Sequence, residues 1–529
     1  MIIGAIGSII LTMSSMFVAL KLGALPWPIM FVALVSMFGL KALGNTNINE
    51  INVTHTAMSA GAMVAGGLAF TLPGIWMLNK DADISVGVLM LLTLGGTALG
   101  LIFTALIRKY FVVTQELPYP MGQAAAETLI VGDEGGKKAG LLFGALGLAA
   151  LFTVLRDWFK IFSATPIVWI KKMMPYGSLG GVWLSPMLIA VGFIIGPLYI
   201  GVWFLGALIG DLGVLICGQE IGWWDAATAA NIKASLGIGL MVGTGVGIIV
   251  KGILPKAKEI FSPMFSKSNI SDGIIPMRWA PLLLVLLAFL FTVIADMGVG
   301  ASIITILGVW LATAMSAQCV GQSGINPMEI FGIIVLIAAK AVTSIGQTEA
   351  FFVAAIVAVA CGLVGDVMND FKAGHILNSD PKAQWLGECI GGIIGAVVSV
   401  GVLMVIIKAY GPEAFGQDAM FVAPQASMVA AMVGGISHMP AFIIGLVAAL
   451  VLYIVNFPVM TLGLGVYLPF YLSLTAFVGG ALRFIVQKAA PKFEAGGKGQ
   501  IIAAGTLGGE AVVGVIIALI QAIQIMKAF

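Results

Sequence analysis

Apolar runs of the length needed to cross a lipid bilayer follow one another along most of the 529-residue chain. A membrane-spanning helix needs about 20 consecutive apolar residues. Only helices and closed barrels satisfy every backbone polar group inside a bilayer. Because barrel strands would be shorter and would alternate strictly between apolar and polar residues, the runs predict an all-α integral membrane protein.

The composition supports this prediction and argues against other classes of protein. Hydrophobic residues make up 60% of the chain and charged residues only 9%, too few to cover the surface of a soluble protein of this size. The formal net charge of +2 indicates no nucleic-acid partner. The four cysteines show no CxxC spacing, so we expect them to be small buried residues.

Counting the apolar runs predicts about sixteen spanning helices. They lie at roughly 2–20, 27–43, 56–78, 84–107, 138–155, 182–199, 201–217, 229–252, 277–296, 300–316, 328–345, 350–364, 385–408, 438–457, 464–487 and 500–525. The first run lacks the basic region and cleavage site of a signal peptide, so we interpret it as a retained span. Lysines and arginines divide evenly between the two sides, which leaves the orientation open.

Two segments whose helices would begin at a proline are too short to span. They are LPYPMGQAAAETLIVG, within residues 116–136, and FVAPQASMVAAMVGG at 421–435. Paired short segments in the two parts of a chain point to an internally duplicated transporter. We therefore predict two related eight-helix halves, residues 1–255 and 256–529, with short re-entrant helices.

Glycines inside the apolar runs predict closely packed helices. Gly239, Gly243 and Gly247 form two overlapping GxxxG patterns, and Gly391 and Gly395 form another. Small residues at this spacing let membrane helices approach closely. Such packing allows a homodimer without requiring one.

A polar stripe runs through GNTNINEINVTHTAMSAGAM at 44–63. Five of its side chains would share one helical face: Asn45, Asn49, Asn52, Thr56 and Ser59. Glu50 and His55 flank them. Such a stripe either joins helices by hydrogen bonds or lines a substrate-facing wall, although its start could also be a loop. We treat the three asparagines and Thr56 as candidate substrate-binding residues and Glu50 as a candidate proton-coupling residue.

Two acidic residues follow a long apolar run in VGDVMNDFKAGHILNSDP at 364–381. Asp366, Asn369 and Asp370 would share a helical face, and Gly374 is a plausible helix end. Two carboxylates one turn apart disfavour each other's ionisation, so either aspartate could accept a proton near neutral pH. The alternative is a solvated loop with helix-capping aspartates.

A third polar segment, SAQCVGQSGINPMEIFG at 316–332, predicts a helix that breaks and restarts. Proline disfavours helical geometry at the residue before it, here Asn326. A break at membrane depth requires protein or water partners for the freed backbone groups. Gln322, Ser323 and Asn326 are therefore candidate substrate-binding residues, unless the segment is a surface turn.

These segments together resemble the oligopeptide transporter (OPT) family, within it the yellow-stripe-like and prokaryotic branch. ELPYPMGQAAAETL resembles the family's YPxGxxxAE segment, GQSGINP its Gly/Ser-rich stretch ending in Asn-Pro, and GDVMNDFKAGHILNSDP its GDxMxDxKxG segment. The Asn- and Thr-rich stretch running into TLP, and the late segments FVAPQASMVAAMVGG and IIAAGTLGGEAVVGV, follow in the expected order. The similarity extends over most of the chain.

The resemblance implies a proton-coupled secondary importer of about sixteen helices in the plasma (bacterial inner) membrane. Family substrates are small peptides and metal–chelator complexes. A chelator would hold its own metal, so we predict no metal ligands and no cofactor in the protein. Peptide and metal chelate remain alternative substrates.

The proline-started segment at 116–136 is a candidate binding element for a substrate carboxylate. A helix that begins near Tyr119 to Gly122 would direct unpaired backbone N–H groups and a positive dipole end towards an anion. Gln123 and Glu127 would follow on that helix, Glu127 as a proton or ammonium partner. Gln425 would hold the equivalent position in the second half.

Two other classes of function fit less well. A channel usually obtains its pore from several subunits, whereas this chain carries about sixteen helices itself. An intramembrane enzyme is disfavoured because HExxH and GxSxG motifs are absent and the three histidines are far apart in sequence. No P-loop pattern for ATP is evident either. The sequence therefore predicts a secondary transporter and not an enzyme.

Overall fold

The computed structural model describes the chain except for residues 23–28, 135, 164–165, 248–249, 252–253, 257–273, 275–278, 417–418, 420, 496 and 528–529. Nearly all of the described part is helical, which confirms the predicted all-α class. Two short strands, Ile167–Ile170 and Gly180–Val182, pair antiparallel, with Ile167 opposite Val182.

The helices are numbered in chain order. The α-helices are α1 (Ile2–Leu22), α2 (Ile29–Leu43), α3 (Ile48–Ala69), α4 (Pro73–Leu78), α5 (Val86–Arg108), α6 (Pro120–Glu134), α7 (Gly136–Thr153), α8 (Pro186–Ile195), α9 (Pro197–Ala207), α10 (Gly218–Glu220), α11 (Ala226–Gly247), α12 (Ala280–Val293), α13 (Val299–Ser323), α14 (Met328–Val342), α15 (Gln347–Leu377), α16 (Pro381–Tyr410), α17 (Pro424–Gly434), α18 (Met439–Ile454), α19 (Val459–Tyr467), α20 (Phe470–Ala489), α21 (Pro491–Ala495) and α22 (Lys498–Lys527). Lys109–Thr114, Val154–Trp158 and Leu208–Cys217 are π-helical, and Lys171–Tyr176, Leu254–Lys256 and Pro412–Ala414 are 3₁₀ turns.

Membrane-spanning candidates are numerous. Within the described residues, nine helical segments are long and apolar enough to cross a bilayer. The count becomes ten if α17 and α18, which meet at a bend of 107°, form one broken span. Four shorter apolar helical stretches of 10–17 residues add to these. The multi-pass prediction is confirmed. These counts concern the described residues only, so the predicted number of about sixteen spans stays a prediction.

The chain divides into two compact units. Unit 1 comprises Met1–Leu129, Ile253–Gly435 and Val515–Phe529, and unit 2 comprises Ile130–Gly252 and Ile436–Gly514. Each unit takes segments from both parts of the sequence. The division into two units does not test whether residues 1–255 and 256–529 are duplicated halves. The predicted duplication stays a prediction.

The centre of unit 1 is α15, a helix that is apolar on nearly all sides. It is buried from Ala350 to Gly374 and packs against α3, α5, α13 and α14. A helix that is hydrophobic all round belongs in the interior of a bundle. The polar residues that α15 carries near its C-terminal end are therefore held inside the protein.

Unit 2 has its own helical core. α11 packs against α18 and α19, and α20 packs against α8 and α9. A cluster that includes Val202, Leu240, Ala449 and Val459 fills the space between these helices. At Gly239 and Gly243 a β-carbon would collide with the carbonyl oxygens of Phe442 and Leu446, so the first GxxxG motif permits the predicted close packing.

The second GxxxG motif allows α16 to pack closely on α3 in unit 1. A β-carbon at Gly391 would collide with the Ala57 carbonyl oxygen, and one at Gly395 with the Cα atom of Gly61. These neighbours are backbone atoms, which cannot move aside as a flexible side chain would. The backbones of the two helices are therefore in direct contact at both glycines.

Gly395→Ala is expected to lower the thermal unfolding midpoint of the detergent-purified protein. Overpacking of this kind typically costs about 1–3 kcal/mol. Gly401→Ala is the matched control, because Gly401 lies on the same helix and a β-carbon there would have nothing within 4 Å. Both variants gain the helix propensity of alanine, so an equal midpoint for the two would contradict the packing described.

Candidate functional site

Three polar residues lie inside unit 1 on the buried helix α15. Asp366, Asn369 and Asp370 are each 0% exposed. The alternative of a solvated loop is therefore wrong. The helix also continues past Gly374 to Leu377, where Asn378 ends it in the left-handed conformation with φ of 55°.

Asp370 has two polar partners on α3. The Ser59 hydroxyl donates a hydrogen bond of 2.9 Å to Asp370 Oδ2. His55 Nε2 lies 3.5 Å from Asp370 Oδ1, with both side chains fully buried. Since 3.5 Å exceeds a good hydrogen bond, the imidazole is directed at the carboxylate without being tightly bound to it.

A third carboxylate joins the group from α16. Oxygen atoms of Asp366, Asp370 and Glu388 lie within 4.8 Å of one another, and Glu388 is also 0% exposed. Both oxygens of Asp366 and both oxygens of Glu388 have no hydrogen-bond partner among the described residues. We call Asp366, Asp370 and Glu388 the carboxylate cluster.

The carboxylate cluster cannot hold three negative charges at once. Burying one ionised carboxylate without a partner is strongly unfavourable, and like charges at this spacing repel one another. The described side-chain partners of Asp370, Ser59 and His55, supply no fixed positive charge. The spacing would suit a small cation as well as protons, so some of the negative charge must be neutralised by one or the other.

The polar stripe on α3 connects to α16 and to the turn before it. Ser379 Oγ accepts a hydrogen bond of 3.1 Å from Asn52 and donates one of 2.7 Å to Asn49 Oδ1. Gln384 Nε2 donates to Thr56 Oγ1 at 3.4 Å and to the Asp370 carbonyl oxygen at 2.8 Å. The stripe thus becomes a hydrogen-bonded seam that adjoins the carboxylate cluster.

The start of the stripe lies outside this seam. Asn45 is exposed and precedes α3, as the loop alternative allowed. Glu50 is exposed in the first turn, where Thr46 donates a hydrogen bond of 2.9 Å to its carboxylate. The N-cap of α3 is Asn47, whose side chain accepts from the Glu50 N–H. The structure therefore does not bring Asn45 or Glu50 to the cluster.

The segment of residues 116–136 forms α6 from Pro120, as predicted. Two backbone N–H groups at its start, however, are already bonded: Gly122 N–H donates to Asn369 Oδ1 at 3.0 Å, and Tyr119 N–H to the Gly321 carbonyl oxygen at 2.9 Å. The prediction of unpaired N–H groups is therefore wrong at Tyr119 and Gly122, where a side chain of α15 and a backbone carbonyl accept these bonds. Tyr119 itself is fully buried with φ of 44°.

Three other predicted residues are half-buried on short helices. Gln123 and Glu127 lie on α6, and Gln425 lies in the first turn of α17. Glu127 is not among the described acids that form the carboxylate cluster. These three residues stay predictions for substrate or proton binding.

The predicted helix break is present between α13 and α14. Gly324 ends α13 with φ of +72°, and α14 begins at Met328. The Asn326 amide accepts a hydrogen bond of 3.0 Å from Ser316 and donates one of 2.9 Å to the Cys361 carbonyl oxygen on α15. The side chains of Gln322 and Ser323 lie outside the described part of the chain.

Sequence reasoning missed Glu388 as a site residue. The signal was present, because Glu388 is an acid inside a predicted apolar span, and such acids mark pathways or paired sites. In unit 2, Arg156 binds the Glu510 carboxylate at 2.9 Å, a pair that was not predicted from the sequence. A further pair in unit 2, the buried Asp211 with the half-buried Lys233 at 2.8 Å, was not foreseen either.

Comparisons with known proteins agree with the earlier resemblance. A protein of Haemophilus influenzae named "Putative oligopeptide transporter" is 27% identical over an alignment that covers 96% of this chain and 93% of that protein. The "Metal-nicotianamine transporter YSL2" of Arabidopsis thaliana is 33% identical over 75 residues, 13% of this chain and 11% of that protein. The family model described as OPT oligopeptide transporter protein matches residues 1–521. This chain therefore belongs to the OPT oligopeptide transporter family, a family of multi-pass membrane transporters.

Proposed function

We propose that the protein is a proton-coupled importer of small peptides and that the carboxylate cluster carries the coupling proton. The observation that supports this most strongly is the full burial of Asp366, Asp370 and Glu388 with their oxygens within 4.8 Å. Ionisable residues inside membrane bundles typically belong to ion or proton pathways. A cluster whose charge must be neutralised is suited to binding a proton in one state of a transport cycle and releasing it in another.

We assign protons to the cluster, whose carboxyls face several polar groups. Asp370 faces His55 and Ser59 of α3, Asp366 of its own helix, and Glu388 of α16, beside which lies Cys389. A proton needs only one oxygen and can move among the three carboxyls. Mg²⁺ and Ca²⁺ take six or more oxygen ligands, so either ion would need waters or other groups beside the three carboxyls.

Peptide is the first candidate substrate because the Haemophilus influenzae relative, which aligns over nearly the whole chain, carries an oligopeptide name. Gln123, Gln425 and the seam residues Asn49, Asn52 and Thr56 are candidate contacts for the polar backbone of such a substrate. A metal–chelate substrate is the second candidate, and its support is the short match to the Arabidopsis thaliana protein.

The test is uptake into proteoliposomes that contain the purified protein. Labelled di- and tripeptides, free amino acids, and ferric and nickel chelates are offered with and without an inward proton gradient. The peptide assays contain EDTA, so that peptide uptake is measured without free metal ions. We expect saturable accumulation of peptides above the external concentration, driven by the proton gradient. A non-saturable flux that only equalises the peptide concentrations on the two sides would indicate a channel. Accumulation of chelates alone would show that the metal chelate, and not the peptide, is the substrate.

Three further expectations accompany this proposal. They are residence in the plasma (bacterial inner) membrane, a possible homodimer, and the internal duplication into halves 1–255 and 256–529. Fractionation of the cell membranes and the mass of the detergent-solubilised particle would test the first two directly.

A further inference from the structure

A cavity of about 540 Å³ lies within unit 1, away from the carboxylate cluster. Its described lining comes from the end of α4, the segment around the 3₁₀ turn Pro412–Ala414, and α17. Binding sites for small molecules typically measure about 300–1,000 Å³. The cavity is therefore large enough for a short peptide, and it adjoins the proline-started helix α17 that carries Gln425.

Two opposite charges stand at the exposed side of the cavity. Lys80 Nζ lies 2.9 Å from Glu413 Oε1, and the side chains are 61% and 73% exposed. The hydrogen bond and the charge of Lys80 hold the pKa of Glu413 below its ordinary value, so the carboxyl is ionised at neutral pH. Because exposed ion pairs contribute little stability, both groups can turn to a ligand at small cost.

Two aromatic side chains belong to the described lining of the cavity. Trp76 and Phe415 are 4% and 6% exposed, with ring centroids 6.2 Å apart at a tilt of 35°. The Trp76 indole N–H donates to the Ala82 carbonyl oxygen at 3.1 Å, which holds the ring in place. Ala430 and Ala431 of α17 add small side chains to the described lining.

We propose that this cavity binds a short peptide with both termini free. Its C-terminal carboxylate would bind Lys80, its N-terminal ammonium would bind Glu413, and an apolar or aromatic side chain would pack against Trp76 and Phe415. The inference rests on the proposed import of peptides and adds a substrate class, the unblocked zwitterionic peptide, and a second place of binding, separate from the seam contacts proposed above.

The test is calorimetric binding to the full-length protein in detergent. The ligands are the tripeptide Ala-Phe-Ala with free termini, its C-terminal amide and its N-acetyl form. Charge-assisted hydrogen bonds distinguish these ligands, so we expect the wild-type protein to prefer the free peptide by about tenfold or more over each blocked form. Lys80→Gln should lose the preference over the amide alone, and Glu413→Gln the preference over the N-acetyl form alone.

The matched control is Lys382→Gln, which removes an exposed lysine at the start of α16 and should keep both preferences. Equal affinity of the wild-type protein for the three ligands would overturn the inference. Variants in which the affinity for all three ligands falls by the same factor would overturn it too. Gradient-driven peptide uptake with unchanged ligand preferences in both variants would overturn this inference and leave the proposed function intact. A complete absence of peptide uptake would overturn the proposed function instead.

Discussion

Replacing Asp370 by asparagine is expected to reduce gradient-driven peptide accumulation to the level of protein-free liposomes. The amide keeps the size of the side chain and can still accept the 2.9 Å hydrogen bond from Ser59. It cannot bind and release a proton, so the proton gradient can no longer drive substrate movement. Exchange of labelled for unlabelled peptide across the membrane, which requires no net proton movement, should persist in the variant.

The matched control for this prediction is Glu349→Gln. Glu349 lies in the first turn of α15, the helix that also carries Asp370, about 30 Å away along the helix axis. The control also removes one carboxylate from that helix, and it should accumulate peptide like the wild-type protein. Undiminished, pH-dependent accumulation by Asp370→Asn would show that this residue does not carry the coupling proton.

Of the substitutions proposed for this protein, Arg156→Met is expected to cause the largest loss of stability. Arg156 is 3% exposed, lies 2.7 Å from Asp157 and 2.9 Å from Glu510, and also donates to the Leu184 carbonyl oxygen. Removing one partner of a buried ion pair typically costs about 3–5 kcal/mol, because the other charge remains buried without compensation. The thermal unfolding midpoint of the purified protein should fall markedly.

A second substitution separates charge from packing at this position. If Glu510 without its partner causes the loss, the double variant Arg156→Met/Glu510→Met should be more stable than Arg156→Met alone. The matched control is Lys80→Met, which breaks an exposed pair and should cost about 1 kcal/mol or less. Equal midpoints for Arg156→Met and Lys80→Met would contradict the assignment of Arg156 as a buried stabilising charge.

Local sequence patterns predicted the helical elements well. The start of α6 at Pro120, the start of α17 at Pro424 and the break between α13 and α14 follow from proline and glycine, whose backbone preferences act over a few residues. The glycine spacing in α11 and α16 likewise predicted close helix contacts. In each case the determining residues are neighbours in sequence.

Contacts between distant helices were less predictable. Glu388 joins Asp366 and Asp370 only because α16 packs beside α3 and α15 in one register. The Gly122 N–H is occupied because Asn369, 247 residues away in sequence, reaches it from α15. Helix propensity and hydrophobic periodicity carry no information about such registers, so a free anion site was predicted where the protein binds its own side chain.

The most direct test of the proposed coupling is proton entry itself, measured with a pH-sensitive dye inside proteoliposomes when peptide is added outside. The wild-type protein should acidify the lumen on addition of peptide, even without an imposed gradient. Asp370→Asn should not acidify it, although it still exchanges peptide. Peptide entry without acidification by the wild-type protein would contradict proton coupling, and equal acidification by Asp370→Asn would contradict the role of the carboxylate cluster.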